Sequence, residues 1–130
     1  MEKRTIDPWK WREYTNSVQA VEIKQPAGTL YCSGQAAIDA HGQPSTADMR
    51  TQLQQTFANL EQLITEAGYS CQGIVRLNVY TTSTTEFFTT CGDLYQSWIV
   101  QHGIKQATSL LEVKGLFQGL TIELEATVVK

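Results

Sequence analysis

The run from Met49 to Gly68 constrains this chain more than any other. Met49, Leu53, Phe57, Leu60, Ile64 and Ala67 recur at steps of three and four, which lays one apolar stripe along a helix. Ser45 or Thr46 can cap its start, and Gly68 can end it in a left-handed conformation. The period then drops to two. Val75, Leu77 and Val79 alternate with Arg76, Asn78 and Tyr80, the pattern of a half-buried strand. Ser83-Thr84-Thr85-Glu86 reads as a capping box, and Phe87, Phe88, Cys91, Leu94, Tyr95 and Trp98 carry a second amphipathic helix towards Gly103. Period two returns at the end of the chain. One strand covers 109–113, a loop covers 114–119, and Ile122, Leu124, Ala126 and Val128 alternate with Glu123, Glu125 and Thr127.

Ahead of the first helix the signals are shorter. Val18 to Ile23 is a β-rich run, Pro26-Ala27-Gly28 is a turn, and Thr29 to Ser33 is a second run, so the two predict an antiparallel hairpin. Asp7-Pro8-Trp9-Lys10-Trp11 has no clean period and reads as an extended arm packed on the body. The order is strands, helix, strand, helix, two strands. That predicts an α+β sandwich, one domain over residues 1–130, with both helices on one sheet face. The other face carries Val, Thr and Glu side chains and meets either solvent or another copy. Together with three tryptophans, that uncovered face favours an oligomer.

Composition excludes more than it identifies. With 42% apolar and 18% charged residues the chain is too apolar for disorder, and no run nears the ~18 residues of a spanning helix. Ten basic against thirteen acidic residues leave a net charge of -3, so nucleic acid is not an expected partner. Met1 to Thr5 leads into no apolar segment, so no secretory leader is expected. Cys32, Cys71 and Cys91 are odd in number and lie far from His41 and His102. Neither a disulfide framework nor a zinc site is expected, and reduced thiols in a cytoplasm fit better.

Candidates for chemistry are few. His41 lies in a turn, and His102 lies at a helix C-terminus where it can answer the dipole. Cys32 and Cys91 read as buried structural thiols. Glu123 and Glu125 share one strand face, and paired carboxylates can divide acid and base work because like charges raise one pKa. The alternative is a solvent-facing strand edge with Arg76 as a counter-charge.

Several short pieces follow one another along the chain: Ser33-Gly34-Gln35, Gln52, Asn59-Leu60, Ala67-Gly68, the strand from Val75 to Tyr80, Glu112-Val113, and Glu123-Leu124-Glu125-Ala126. Taken in that order they resemble the Rid family of reactive intermediate deaminases, also called the YjgF or L-PSP endoribonuclease family. The resemblance implies a chorismate-mutase-like fold of the bacillus type, in which a mixed sheet carries two helices on one face. It also implies a homotrimer around a central β-barrel, with three clefts between subunits that bind small carboxylates. Members of the family hydrolyse enamines and imines to ketoacids and ammonia, and no metal or organic cofactor is implied.

Carried over to this chain, the resemblance makes Glu123 the water-positioning carboxylate, with Ser33 and Gly34 beside the substrate. The carboxylate clamp departs from the family pattern. Where deaminating members have Pro-Ala-Arg-Ser, this chain has Gln106-Ala107-Thr108-Ser109, so Thr108 holds the arginine's place. Ser17 stands for a tyrosine, Gly92 for an asparagine and Leu110 for a cysteine. Arg76 and Lys114 are the cations that could replace the clamp. Three classes stay open: a cofactor-free imine or enamine hydrolase or isomerase that is poor with 2-iminoacids, a non-catalytic metabolite-binding trimer, and RNA cleavage or translation inhibition.

Overall fold

In the computed structural model, which describes the backbone of residues 1–130 and every side chain outside residues 12–14, the alternating stretches build a mixed sheet. Strands β1 (Glu2–Ile6) and β2 (Ala20–Lys24) form a small antiparallel pair of their own. The main sheet holds β3 (Thr29–Tyr31), β4 (Gln35–Ala36), β5 (Ile74–Thr81), β6 (Leu110–Glu112) and β7 (Ile122–Val129). Its order is β3-β7-β5-β6, with β4 also on β7. Strands β5 and β7 run antiparallel, whereas β6 lies parallel to β5.

Both helices pack on one face because only that face is apolar. Leu77 and Val79 of β5 meet Ile122, Leu124, Ala126 and Val128 of β7 in one core cluster. Helix α1 (Met49–Glu66) adds Met49, Leu53, Phe57, Leu60 and Ile64. Helix α3 (Gly92–His102) adds Tyr95, Trp98 and Ile99. The rings of Phe57 and Trp98 stack at 4.3 Å and 9°, joining the two helices. Gly68, at φ +81°, ends α1 as its position predicts. No helix among the described residues is long and apolar enough to cross a membrane. Arg76, Asn78, Tyr80, Glu123, Glu125 and Thr127 alternate onto the opposite face, where each keeps some exposure.

Three local expectations give way to the structure. The hairpin between 18–23 and 29–33 does not form. Strand β2 pairs with β1, in a register that sets Arg4 opposite Glu22, and β3 pairs with β7. Gln25 turns the chain through φ +51°, and the amides of Ala27 and Gly28 both donate to the carbonyl of Lys130, which delivers β3 to the far end of β7. The arm expected over 7–11 is extended only as far as Trp9, because Lys10 and Trp11 open a 3-10 turn over Lys10–Thr15. The cap of α1 is Asp48, whose carboxylate accepts from the Thr51 amide at 2.8 Å, while Ser45 closes a local turn onto Ala47.

The second helical stretch is interrupted as well. Ser83 caps α2 (Thr84–Glu86) by accepting from the Glu86 amide, as the capping box predicts. A π turn over Phe87–Cys91 follows before α3 begins. Thr90 Oγ1 donates to the Glu86 carbonyl at 2.8 Å, and Thr89 Oγ1 to the Thr85 carbonyl at 3.0 Å. Those hydroxyls compete for carbonyls that a regular helical ladder would use, which fits the wider turn there.

Candidate functional site

A cleft of about 670 Å³ lies between the edge strand β6 and the π turn that leads into α3. The π turn turns Phe87 into the core and leaves Phe88 65% exposed, and both rings line the cleft. Helix α3 contributes Gly92, Tyr95 and Gln96, and the run from Thr108 to Leu111 forms the opposite wall. Trp11, Asn16 and Ser17 close it from the N-terminal segment.

Gln106 fastens that segment in place. Its Nε2 donates to the Asn16 carbonyl at 2.8 Å, and its backbone carbonyl accepts from the Val18 amide at 2.9 Å. The Gln106 side chain is fully buried, so these bonds form away from competing water. Ser17 is thereby brought into the same cleft as Thr108, 91 residues further along the chain.

Ser17, Gly92, Thr108 and Leu110 therefore meet in one cleft. Gly92 leaves room there, because a Cβ on it would touch nothing within 4 Å. Thr108 is half-buried and its Oγ1 has no hydrogen-bond partner. Burial pushes the Tyr95 phenol up, and Thr108 and Gln106 offset part of that rise.

Ser33, Gly34 and Glu123 form a second group. Strand β4 pairs Ala36 with Glu123, which lays the exposed Gly34 against that side chain. A Cβ on Gly34 would lie 2.6 Å from the Glu123 Cδ, so only glycine leaves the carboxylate where it is. Glu123 is half-buried and accepts no hydrogen bond from the described residues. Burial raises its pKa, and the neighbouring Glu125 raises it further.

Glu125 is held quite differently. The Tyr80 hydroxyl donates to its Oε1 at 2.8 Å and Asn78 Nδ2 at 3.2 Å. One carboxylate of the pair is thus satisfied and the other is bare, which is the asymmetry acid-base chemistry uses.

The two groups do not meet within one chain. Glu123 pairs with Tyr80, and Tyr80 with Leu111 at the cleft's edge, so two strand spacings of about 4.8 Å each separate them. Neither Arg76 nor Lys114 is among the residues lining the cleft. Arg76 lies exposed on the open sheet face, with Nη1 donating to Asn78 Oδ1 at 3.4 Å, and Lys114 is exposed beyond β6.

The remaining candidates have structural partners. His102 Nε2 lies 2.9 Å from Glu61 Oε1, which also accepts from Trp98 Nε1 at 2.7 Å, so a carboxylate as well as a helix end answers this histidine. All three cysteines are free and buried, and burial pushes the Cys71 thiol up to about 11. Among the described residues, no three His, Cys, Asp or Glu side chains gather as a metal would need. Sequence reading missed Trp11, Phe88 and Gln96 in the cleft. The doubled Phe87-Phe88 was the available signal, since two adjacent rings cannot share one helical stripe.

The profile described as Endoribonuclease L-PSP matches residues 12–130. A RutC family protein of Aquifex aeolicus is 29% identical over 112 residues, covering 86% of each chain. The Rid-family protein YyfB of Yersinia pestis has a similar structure with TM-score 0.86, 27% identity and full coverage of both chains. The YjgF gene product of E. coli follows the fold with TM-score 0.71 and 27% identity over 87% of each chain. With the profile spanning all but the first eleven residues, and the expected sheet and helices in place, the chain belongs to the Endoribonuclease L-PSP family, the Rid or YjgF family.

Proposed function

We propose that the protein is a homotrimer whose copies complete one another's clefts, and that each cleft holds a small metabolite of the imine or enamine type. The observation that carries this reading is the meeting of Ser17, Gly92, Thr108 and Leu110 in one cleft, from three separate parts of the chain. A neighbouring copy would bring Gly34 and Glu123 to the open side. Glu123 would there hold a water against the C=N carbon and take its proton as the C–O bond forms. Glu123 returns that proton to the nitrogen, giving a carbinolamine whose hydroxyl proton passes to the nitrogen as the C–N bond breaks, so that ammonia leaves and a carbonyl remains.

Thr108 limits which substrates are served. An arginine fork makes two charge-assisted hydrogen bonds to a carboxylate, each worth about 1.5–3 kcal/mol. A threonine hydroxyl replaces neither, and losing ~3 kcal/mol of differential binding lowers rate or affinity more than a hundredfold. The 2-iminoacid deaminase reaction is therefore weak or absent, and a metabolite-binding trimer without turnover is the second reading. RNA cleavage is disfavoured, because a net charge of -3 offers a polyanion little attraction. Buried thiols fit a cytoplasmic site of action.

The test couples an amino-acid oxidase to detection of its imine product. Wild-type protein is expected to leave the decay of 2-iminopropanoate nearly unchanged. Acceleration equal to that of an arginine-bearing relative would contradict the role given to Thr108.

A further inference from the structure

We propose that Tyr80 is a positioning residue for Glu123: its hydroxyl holds Glu125 beside Glu123 in one orientation, and that fixed neighbour readies Glu123 to accept the proton of its water. This rests on the reading of Glu123 as the carboxylate that holds the attacking water, and deepens it. Tyr80 stands opposite Glu123 in the register of β5 on β7, and Asn78 stands opposite Glu125. The Tyr80 hydroxyl nonetheless donates on the diagonal, to Glu125 Oε1 at 2.8 Å, and Asn78 Nδ2 donates to the same oxygen at 3.2 Å. Asn78 is oriented in turn, because its Oδ1 accepts from the Ser109 amide at 3.2 Å. All of these bonds are made within one chain, so none of them needs a neighbouring copy.

The electrostatics follow from that clasp. Two donors on one oxygen keep the Glu125 carboxylate next to Glu123, whose pKa is raised by burial and then by Glu125. The bond to Glu125, and burial after it, raise the Tyr80 phenol, so the hydroxyl keeps its proton at neutral pH and stays a donor. Among the described residues, the titratable groups around Glu123 are Tyr80 from β5 and Glu125 from its own strand, with Arg76 further along β5 opposite Thr127. Strand β4 and Gly34 before it carry no charge. A carboxylate beside a fixed negative neighbour takes up a proton more readily, which suits the step in which Glu123 draws one from water. Tyr80 acts on that step only through Glu125.

The test is a pH titration of the full chain carrying carboxyl-labelled glutamate, followed by carbon NMR, with the Glu123 signal assigned by its loss in Glu123→Gln. Glu125→Gln is expected to lower the Glu123 midpoint by about 0.5 pH unit or more, because the neighbouring charge is gone. Tyr80→Phe keeps the ring and removes only the hydroxyl, so Glu125 is free to swing towards solvent. It should lower the Glu123 midpoint in the same direction, by at least about half as much, while thermal melting stays near wild type. A Glu123 midpoint that is unchanged or raised in Tyr80→Phe would overturn the role given to Tyr80, and one unchanged in Glu125→Gln would overturn the coupling itself. The titration needs no ligand, and sedimentation of the same samples keeps the two readings apart. An unmoved midpoint in a trimer overturns this inference and leaves the cleft reading standing, whereas a monomer overturns the cleft reading on which the inference rests.

Discussion

Gly34 lies flat against the carboxylate of Glu123, so that a methyl group in place of its hydrogen would reach within 2.6 Å of the Glu123 Cδ. The close approach follows from the pairing of Ala36 with Glu123 two residues further along β4. What the glycine keeps clear is the tip of a flexible side chain rather than backbone. Gly34→Ala should therefore fold normally, with a stability change within about 1 kcal/mol, because Glu123 can swing aside. Ligand binding or turnover that depends on Glu123 should fall about tenfold or more. Urea unfolding and titration on the same sample separate the two effects.

Glu123 should also make stability depend on pH in an unusual direction. Burial and Glu125 hold its proton more tightly in the folded chain than in the unfolded one. Between the two pKa values the folded chain carries more protons, so this contribution is complete below the ordinary carboxylate range. It is lost as pH rises through the folded value. Glu123→Gln should match wild type near pH ~4 and melt at higher temperature than wild type at neutral pH. Melting curves across that range check the sign, and a neutral-pH loss of stability in the variant would refute it.

Thr108→Arg is the complementary gain-of-function change. A guanidinium at the mouth of this cleft should restore part of the carboxylate clamp and raise hydrolysis of 2-iminopropanoate by about tenfold to a hundredfold. The coupled oxidase assay reads it directly. Thr108→Lys should gain less, since a single ammonium lacks the two-pronged geometry.

How far the sequence could be read depended on whether each feature was local. The stripe from Met49 to Ile64 and the alternation of Ile122 to Val128 are periodic, and both became the elements they predict. The pairing of β2 with β1 was hidden, because Glu2-Lys3-Arg4-Thr5 is exposed on both sides and carries no apolar alternation. The π turn was hidden too, since it depends on where the Thr89 and Thr90 hydroxyls point. The site divides along the same line. Glu123 and Glu125 were visible as a same-face pair, yet their difference comes from Tyr80 and Asn78 on another strand. Gly34, Ser17, Gly92, Thr108 and Leu110 were named through resemblance alone. Spacing in the chain does not predict that four of these residues line one cleft.

Glu61 offers a stability test away from the site. Its Oε1 accepts from Trp98 Nε1 at 2.7 Å, and Trp98 is buried. Glu61→Ala leaves that N–H unpaired and should cost about 1–3 kcal/mol, while Glu61→Gln keeps an acceptor and should cost less. Equal losses in both variants, measured by urea unfolding, would assign the effect to something other than this bond.

The central claim is that a second copy completes the cleft, because Glu123 and Leu111 stand two strands apart within one chain. Sedimentation equilibrium at micromolar concentration tests it most directly. A single species at three times the 14.5 kDa chain mass is the expected result. A monomer at 14.5 kDa would leave Glu123 and Thr108 on separate surfaces and contradict the account.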